Sequence, residues 1–70
     1  MFDSHEYHII RALRQLGGRA FTKDISERIR LMYPDDDGYQ FRWAQQSLKK
    51  KKVLSYIRKG NKYLWILNDS

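Results

Sequence analysis

The side chains best suited to chemistry are basic and aromatic, and they are concentrated in residues 39–70. That half contains eight bases and one acid, whereas residues 1–38 contain six bases and seven acids, and the whole chain has a formal charge of +6. Six aromatic residues are interspersed among the bases: Tyr39, Phe41, Trp43, Tyr56, Tyr63 and Trp65. Basic charge that is concentrated in one half of the chain and interspersed with aromatic residues is typical of proteins that bind a polyanion, most often nucleic acid. A basic surface that serves only solubility is the alternative from composition alone.

Segment 38–51 carries the residues most suited to reading DNA. Phe41, Ala44 and Leu48 recur at helical spacing and predict the buried side of a helix. At about 100° per residue, the opposite side holds bases, an amide and aromatic rings but no acid. These residues are Tyr39, Arg42, Trp43, Gln46, Lys49 and Lys50. Arginine and glutamine bind guanine and adenine through paired hydrogen bonds, and lysine neutralises phosphate. The segment therefore predicts a helix for the major groove, with packing as the alternative role of Trp43.

Three further groups are candidates for phosphate contact. Lys49 to Lys52 form a run at the predicted helix end that is longer than a favourable interaction with the helix dipole requires. Four residues flank or form a predicted turn, whose tip can reach the DNA backbone or minor groove: Arg58, Lys59, Asn61 and Lys62. Thr22 and Lys23 begin an earlier predicted helix, whose free N–H groups can hold a phosphate. Each group also has a structural explanation, namely the helix dipole, protection of a strand edge and an N-cap.

Other chemistries have little support in the sequence. The chain has no cysteine, which excludes disulfides, thiolate zinc sites and cysteine nucleophiles. His5 and His8 have a spacing that suits a metal, but Glu6 is predicted to cap a helix and no further ligand is obvious. Asp35–Asp37 are consecutive, unlike the alternating ligands of a calcium loop. We therefore expect no metal, no cofactor and no enzymatic activity.

Length and hydropathy set the broad class. Seventy residues predict a single domain over 1–70 with a thin core and little room for an enzyme pocket. The longest apolar run, Tyr63 to Leu67, is far shorter than the roughly 20 residues that a membrane span needs. No apolar signal segment follows Met1. We expect a cytoplasmic protein that does not insert into a membrane.

Local signals predict three helices, at about residues 4–16, 23–33 and 38–51. The first has a capping box, Asp3 with Glu6, and a staple between Phe2 and Tyr7. It ends at Gly17-Gly18, because only glycine takes the left-handed conformation there without penalty.

The second and third helices are bounded by similar signals. Thr22 is the predicted N-cap of the second, and Pro34 closes it by disfavouring helical geometry at Tyr33. Asp37 with Gln40 predicts a second capping box at the start of the third. Arg19-Ala20-Phe21, between the first two helices, is expected to be a short extended link.

Residues 53–67 predict a β-hairpin, since they are rich in β-branched and aromatic residues around Gly60-Asn61. A turn centred there pairs Arg58 with Tyr63, Ile57 with Leu64, Tyr56 with Trp65 and Leu54 with Leu67. The Trp65–Leu67 face is expected to cover the core. That leaves Ile57, Leu64 and Ile66 as an apolar patch for a homodimer or another protein partner. A monomer in which the first helix or the N-terminal segment covers this patch is the alternative.

This order of elements predicts an α+β fold, specifically a winged helix-turn-helix with three helices followed by a β-hairpin wing. A three-helix bundle with a peripheral hairpin is the alternative. From Leu31 onward the sequence also resembles winged-helix domains attached to restriction endonucleases, namely the C-terminal domain of the Dam-replacing type and the N-terminal domain of the Mrr type. The matching residues are Tyr33-Pro34, Trp43-Ala44, Gln46, Leu48-Lys49-Lys50, Val53-Leu54, Lys59-Gly60, Trp65 and Leu67. The sequence departs from these families at Lys51-Lys52, where they usually place a glycine before the wing.

The resemblance covers a little over half of the chain and implies DNA binding without cleavage, since no nuclease domain is present. Together with the charge pattern it predicts double-stranded DNA as the partner, in transcription regulation or DNA targeting. A winged-helix module that binds proteins is the alternative, and RNA binding is a weaker third hypothesis.

Overall fold

The structure is a computed structural model that describes residues 2–35 and 41–68. Its helices are α1 (Ser4–Gln15), α2 (Thr22–Met32) and α3 (Phe41–Lys50), and its strands are β1 (Arg19–Phe21), β2 (Leu54–Lys59) and β3 (Lys62–Leu67). The three strands form an antiparallel sheet in which β3 lies between β1 and β2. The α+β class is therefore confirmed. The predicted start of the third helix at residue 38 and the capping box of Asp37 and Gln40 lie outside the described residues.

Both predicted ends of α1 are confirmed. The Asp3 carboxylate accepts from the His5 N–H at 3.1 Å, and the Glu6 carboxylate accepts from the Asp3 N–H at 2.8 Å. Gly17 has a φ of 91°, and the Gly18 N–H donates to the Leu13 carbonyl at 2.7 Å. This pair of features is a Schellman motif, which satisfies carbonyls that the helix end leaves free.

The link between α1 and α2 is extended, as predicted, and residues 19–21 in addition form strand β1 of the sheet. Arg19 lies opposite Ile66 and Phe21 opposite Leu64, so the segment pairs with β3 along its whole length. The pairing with β3 provides hydrogen-bond partners for the backbone groups of residues 19–21, which an unpaired segment would not have. The hairpin is thus the larger part of a three-stranded sheet.

The predicted N-cap of α2 is wrong. The helix begins at Thr22 itself, with Phe21 as the N-cap and no side-chain cap bond. The Thr22 hydroxyl oxygen instead accepts from the Trp65 indole N–H at 2.8 Å. A buried indole needs an acceptor, and this long-range bond supplies it.

At the C-terminal end of α3, the chain turns without the glycine that commonly follows a helix. The Val53 N–H donates to the Leu48 carbonyl and the Lys52 N–H to the Lys49 carbonyl, both at 3.0 Å, which is a second Schellman motif. Its left-handed position is occupied by Lys52, with a φ of 63°. A lysine there is strained, because a Cβ approaches the following carbonyl in this conformation.

The hairpin register is confirmed at all four predicted pairs, including Tyr56 opposite Trp65 and Leu54 opposite Leu67. Trp65 and Leu54 are buried, so their face of the sheet covers the core as expected. The core under this face is formed by apolar residues of all three helices, notably Ile9, Leu13, Ile25, Ile29, Ala44 and Leu48. In the part of the chain that the structure describes, no helix has the length and apolar character to cross a membrane.

Candidate nucleic-acid interface

The buried and exposed sides of α3 follow the predicted pattern. Ala44 and Leu48 are fully buried and Phe41 is half-buried. The predicted binding residues within the described part of α3 are all exposed: Arg42, Trp43, Gln46, Lys49 and Lys50. Tyr39 lies outside the described residues. The exposed side of α3 thus presents three cations, an amide and an indole with no acid among them.

The hairpin tip presents a second group of exposed polar residues. Gly60, at the turn, has a φ of 65°, which favours glycine. Arg58, Lys59, Asn61 and Lys62 are all exposed around it. The Arg58 Nε–H donates to the Gly60 carbonyl at 3.0 Å, and the Lys62 ammonium lies 5.7 Å from the centre of the Phe21 ring. Two of these cations are therefore oriented by contacts within the protein.

A groove of about 410 Å³ separates α3 from the inner face of the hairpin. We call it the α3–hairpin groove. Arg42, Gln45, Gln46 and Lys49 line its helical side, and Tyr56, Tyr63 and Trp65 line the hairpin side, with Thr22 between them. The fold therefore brings three of the predicted α3 residues together with Thr22.

A neighbouring cavity of about 590 Å³ gathers other predicted residues. Lys23 of α2 lines it together with Asn61 and Lys62 of the hairpin, and Thr22 and Tyr63 line both this cavity and the groove. By contrast, the predicted residues Trp43, Lys50, Arg58 and Lys59 line neither space. The predicted site residues are thus divided between the α3–hairpin groove, the neighbouring cavity and the surface outside both.

The rings of the groove form a connected cluster. The Tyr56 ring contacts Tyr63 edge-to-face and Trp65 at a tilt, each at 5.3 Å between centroids. The Lys49 ammonium lies 4.6 Å from the centre of the Tyr56 ring, so helix and hairpin are joined by a cation–π contact. This contact also holds a cation at the edge of the groove.

Four groove residues, Gln45, Tyr56, Tyr63 and Trp65, were not among the predicted site residues. The sequence signal for the tyrosines was the hairpin register, which places both on the face of Trp65. Gln45 gave no such signal, because it follows Ala44 at the boundary between the two sides of α3. It is only 5% exposed, and its side-chain amide nitrogen has no hydrogen-bond partner among the described residues.

Within the lysine run, Lys51 has a partner inside the protein. Its ammonium contacts both carboxylate oxygens of Glu6, at 2.9 and 3.1 Å, and so ties the end of α3 to the start of α1. Glu6 is 1% exposed. Burial raises the pKa of this carboxyl, but hydrogen bonds from the Asp3 N–H, Lys51 and the Ser47 side chain, together with the charge of Lys51, outweigh burial and hold the pKa below its ordinary value. Lys51 is therefore a structural cation.

The outer face of the sheet carries the predicted apolar patch. Ile57 is 48% exposed, whereas Leu64 and Ile66 are half-buried. On the neighbouring strand β1, Phe21 lies opposite Leu64 and Arg19 lies opposite Ile66.

In residues 2–35 and 41–68, no group of three or more histidine or acidic side chains is placed to hold a metal ion.

Comparison of the chain with protein families, curated proteins and solved structures finds no match.

Proposed function

We propose that the chain is a winged helix that binds double-stranded DNA, with α3 in the major groove and the hairpin alongside the phosphate backbone. The observation that carries the proposal is the exposed side of α3, where Arg42, Gln46 and Lys49 lie with no acid on the helix. The hairpin, β2 and β3, also contains no acid. Both elements therefore present one sign of charge to a partner.

The shapes support the same partner. An α-helix with its side chains is roughly 10–12 Å across, and the major groove is roughly 12 Å wide. In this arrangement Arg42 and Gln46 contact base edges, while Lys49 and Lys50 neutralise phosphates. The exposed hairpin cations Lys59 and Lys62 add backbone contacts.

The test is a titration against random-sequence duplex DNA over a range of salt concentrations. Roughly four to six phosphate contacts imply a log–log slope of about −4 to −5, at about 0.9 per contact. Replacing Lys49 and Lys50 together by alanine is expected to reduce this slope by about two units. Arg14 and Arg30 provide the matched control, because they are exposed cations in the last turns of α1 and α2. A slope near zero, or equal effects of the two double variants, would reject the proposal.

The exposure of Ile57 favours a second candidate function, self-association through the outer face of the sheet. A homodimer through this face would present two α3 helices to half-sites about one helical turn apart. Sedimentation of the wild type and of Ile57→Lys tests it, with a lower mass for the variant as the expected result. Equal monomer masses would exclude the dimer. Affinity for a partner that is retained at high salt would instead favour a protein-binding module.

A further inference from the structure

The α3–hairpin groove contains exposed aromatic rings that a partner offering only phosphates and base-pair edges does not need. Tyr56 and Tyr63 are 42% and 43% exposed, although both belong to the hairpin face that covers the core. In an intact duplex, neighbouring base pairs cover the faces of the bases, so a protein ring cannot stack on them. Exposed rings within a basic groove are instead typical of proteins that bind unpaired nucleotides.

Tyr63 is the ring best placed to stack on a ligand. The Tyr56 ring already contacts Lys49, Trp65 and Tyr63, whereas the Tyr63 ring has one aromatic contact among the described residues, with Tyr56, and no cation–π contact there. That contact is edge-to-face, so it holds the Tyr63 ring without stacking on it. Tyr63 also lines both the groove and the neighbouring cavity.

Gln45 supplies an independent sign of a ligand. Its amide nitrogen is a buried donor without a partner in the described part of the chain, although the residue lines the groove. A buried donor left unpaired is unfavourable, so free energy would be gained if the Gln45 side chain turned this amide toward an acceptor on a ligand. Ring nitrogens and carbonyl oxygens of a nucleobase are such acceptors.

The charges at the groove complete the description of the ligand. Arg42 and Lys49 lie on its helical side, and neither forms an ion pair within residues 2–35 and 41–68. The preferred ligand therefore has a negative charge, a flat aromatic surface and hydrogen-bond acceptors in one small unit. A volume of about 410 Å³ lies within the range of small-molecule sites, roughly 300–1,000 Å³.

We propose that the α3–hairpin groove binds one unpaired nucleotide of a nucleic acid strand. Its base stacks on Tyr63 and accepts a hydrogen bond from Gln45, and its phosphate lies beside Lys49. The preferred nucleic acid is then a duplex that continues into a single strand. This inference rests on the proposed function only in taking nucleic acid as the partner.

The experiment compares a short blunt duplex, the same duplex with a single-stranded overhang, and the overhang strand alone, by fluorescence anisotropy. The wild type is expected to bind the overhang duplex roughly tenfold more tightly than the blunt duplex, because one base–aromatic stack accounts for a factor of that order. A fluorescent aminopurine as the first unpaired base is expected to be quenched on binding. This readout requires no variant.

Variants then assign the effect to the groove. Tyr63→Leu is expected to lose the tenfold preference and the quenching while its affinity for the blunt duplex is retained, and Gln45→Leu to reduce the preference. Tyr7→Leu is the matched control, because Tyr7 is also 43% exposed and also packs edge-to-face, on Phe2 at 5.6 Å. Circular dichroism confirms that each variant is folded.

The outcomes separate this inference from the proposed function. Salt-dependent binding to both duplexes with equal affinity and no quenching overturns the inference and leaves duplex binding in place. Binding to the overhang and the single strand but not to the blunt duplex supports the inference and overturns duplex binding. Equal losses in Tyr63→Leu and Tyr7→Leu, or no binding to any probe, overturn the inference.

Discussion

Replacing Lys51 by methionine tests whether the ion pair between the end of α3 and the start of α1 stabilises the fold. Glu6 is almost fully buried, so the variant leaves a buried carboxylate that keeps the hydrogen bond from the Asp3 N–H but loses its cation. Hydrogen bonds to charged groups contribute about 1.5–3 kcal/mol. Because the Lys51 side chain is 41% exposed and therefore partly screened, we expect a loss near the lower limit, about 1.5–2 kcal/mol. For a domain of this size the melting temperature falls by on the order of 10 °C.

Lys50→Met is the matched control for this variant. Lys50 is an exposed neighbour on the last turn of α3, and no contact in the described structure holds its ammonium. Urea unfolding followed by circular dichroism measures the free energy of unfolding of both variants at neutral pH. Equal losses in the two variants would refute the argument, because the loss would then reflect lysine removal in general.

The pH dependence gives a second check. The folded pKa of Glu6 lies below its unfolded value, so its contribution to stability is present above the unfolded pKa. It is lost as the pH falls through the folded pKa. The difference between the wild type and Lys51→Met is therefore expected at neutral pH and should disappear once Glu6 is protonated. A difference that persists undiminished in acid would contradict the role of the carboxylate.

Three further predictions concern the turn, the core and the DNA surface. Lys52→Gly is expected to stabilise the protein by about 0.5–1 kcal/mol in thermal melts, because relief of left-handed strain exceeds the entropic cost of glycine. Thr22→Val and Trp65→Phe should show a coupling energy of about 0.5–1.5 kcal/mol in a double-mutant cycle, since each removes one partner of the same hydrogen bond. Additive effects would argue against that bond. Gln46→Ala should relax sequence preference by roughly 1–3 kcal/mol in competition between specific and random duplexes, whereas Lys59→Ala should weaken both equally. Identical behaviour of these two variants would exclude base contact by Gln46.

Features that depend on neighbours in sequence were predictable. The capping box of Asp3 and Glu6 and the left-handed Gly17 each involve residues within one helical turn. The hairpin register follows from Gly60-Asn61, because a two-residue turn fixes every pair along both strands. The exposed side of α3 follows from its 3.6-residue period in the same way.

Features that depend on distant partners were not predictable. Thr22 has the residue type and position of an N-cap, yet its partner Trp65 is 43 residues away. Lys51 lies within a run of four lysines, and only the fold brings it to Glu6, 45 residues earlier. Strand β1 is three residues long, too short for alternation to identify it without its partner β3.

The position of β3 in the sheet has a consequence for the order of folding. It is the central strand, yet it follows every other helix and strand in the described chain, and it supplies the core residue Trp65. Until β3 is present, β1 and β2 have no partner, and the contact that joins residues 19 and 66 cannot form. A small domain usually folds in one cooperative step, so during synthesis we expect α1, α2 and α3 to pack stably only once β3 has emerged. The sheet and the α3–hairpin groove then form together in one late step, so that binding competence arises only when the whole domain has emerged.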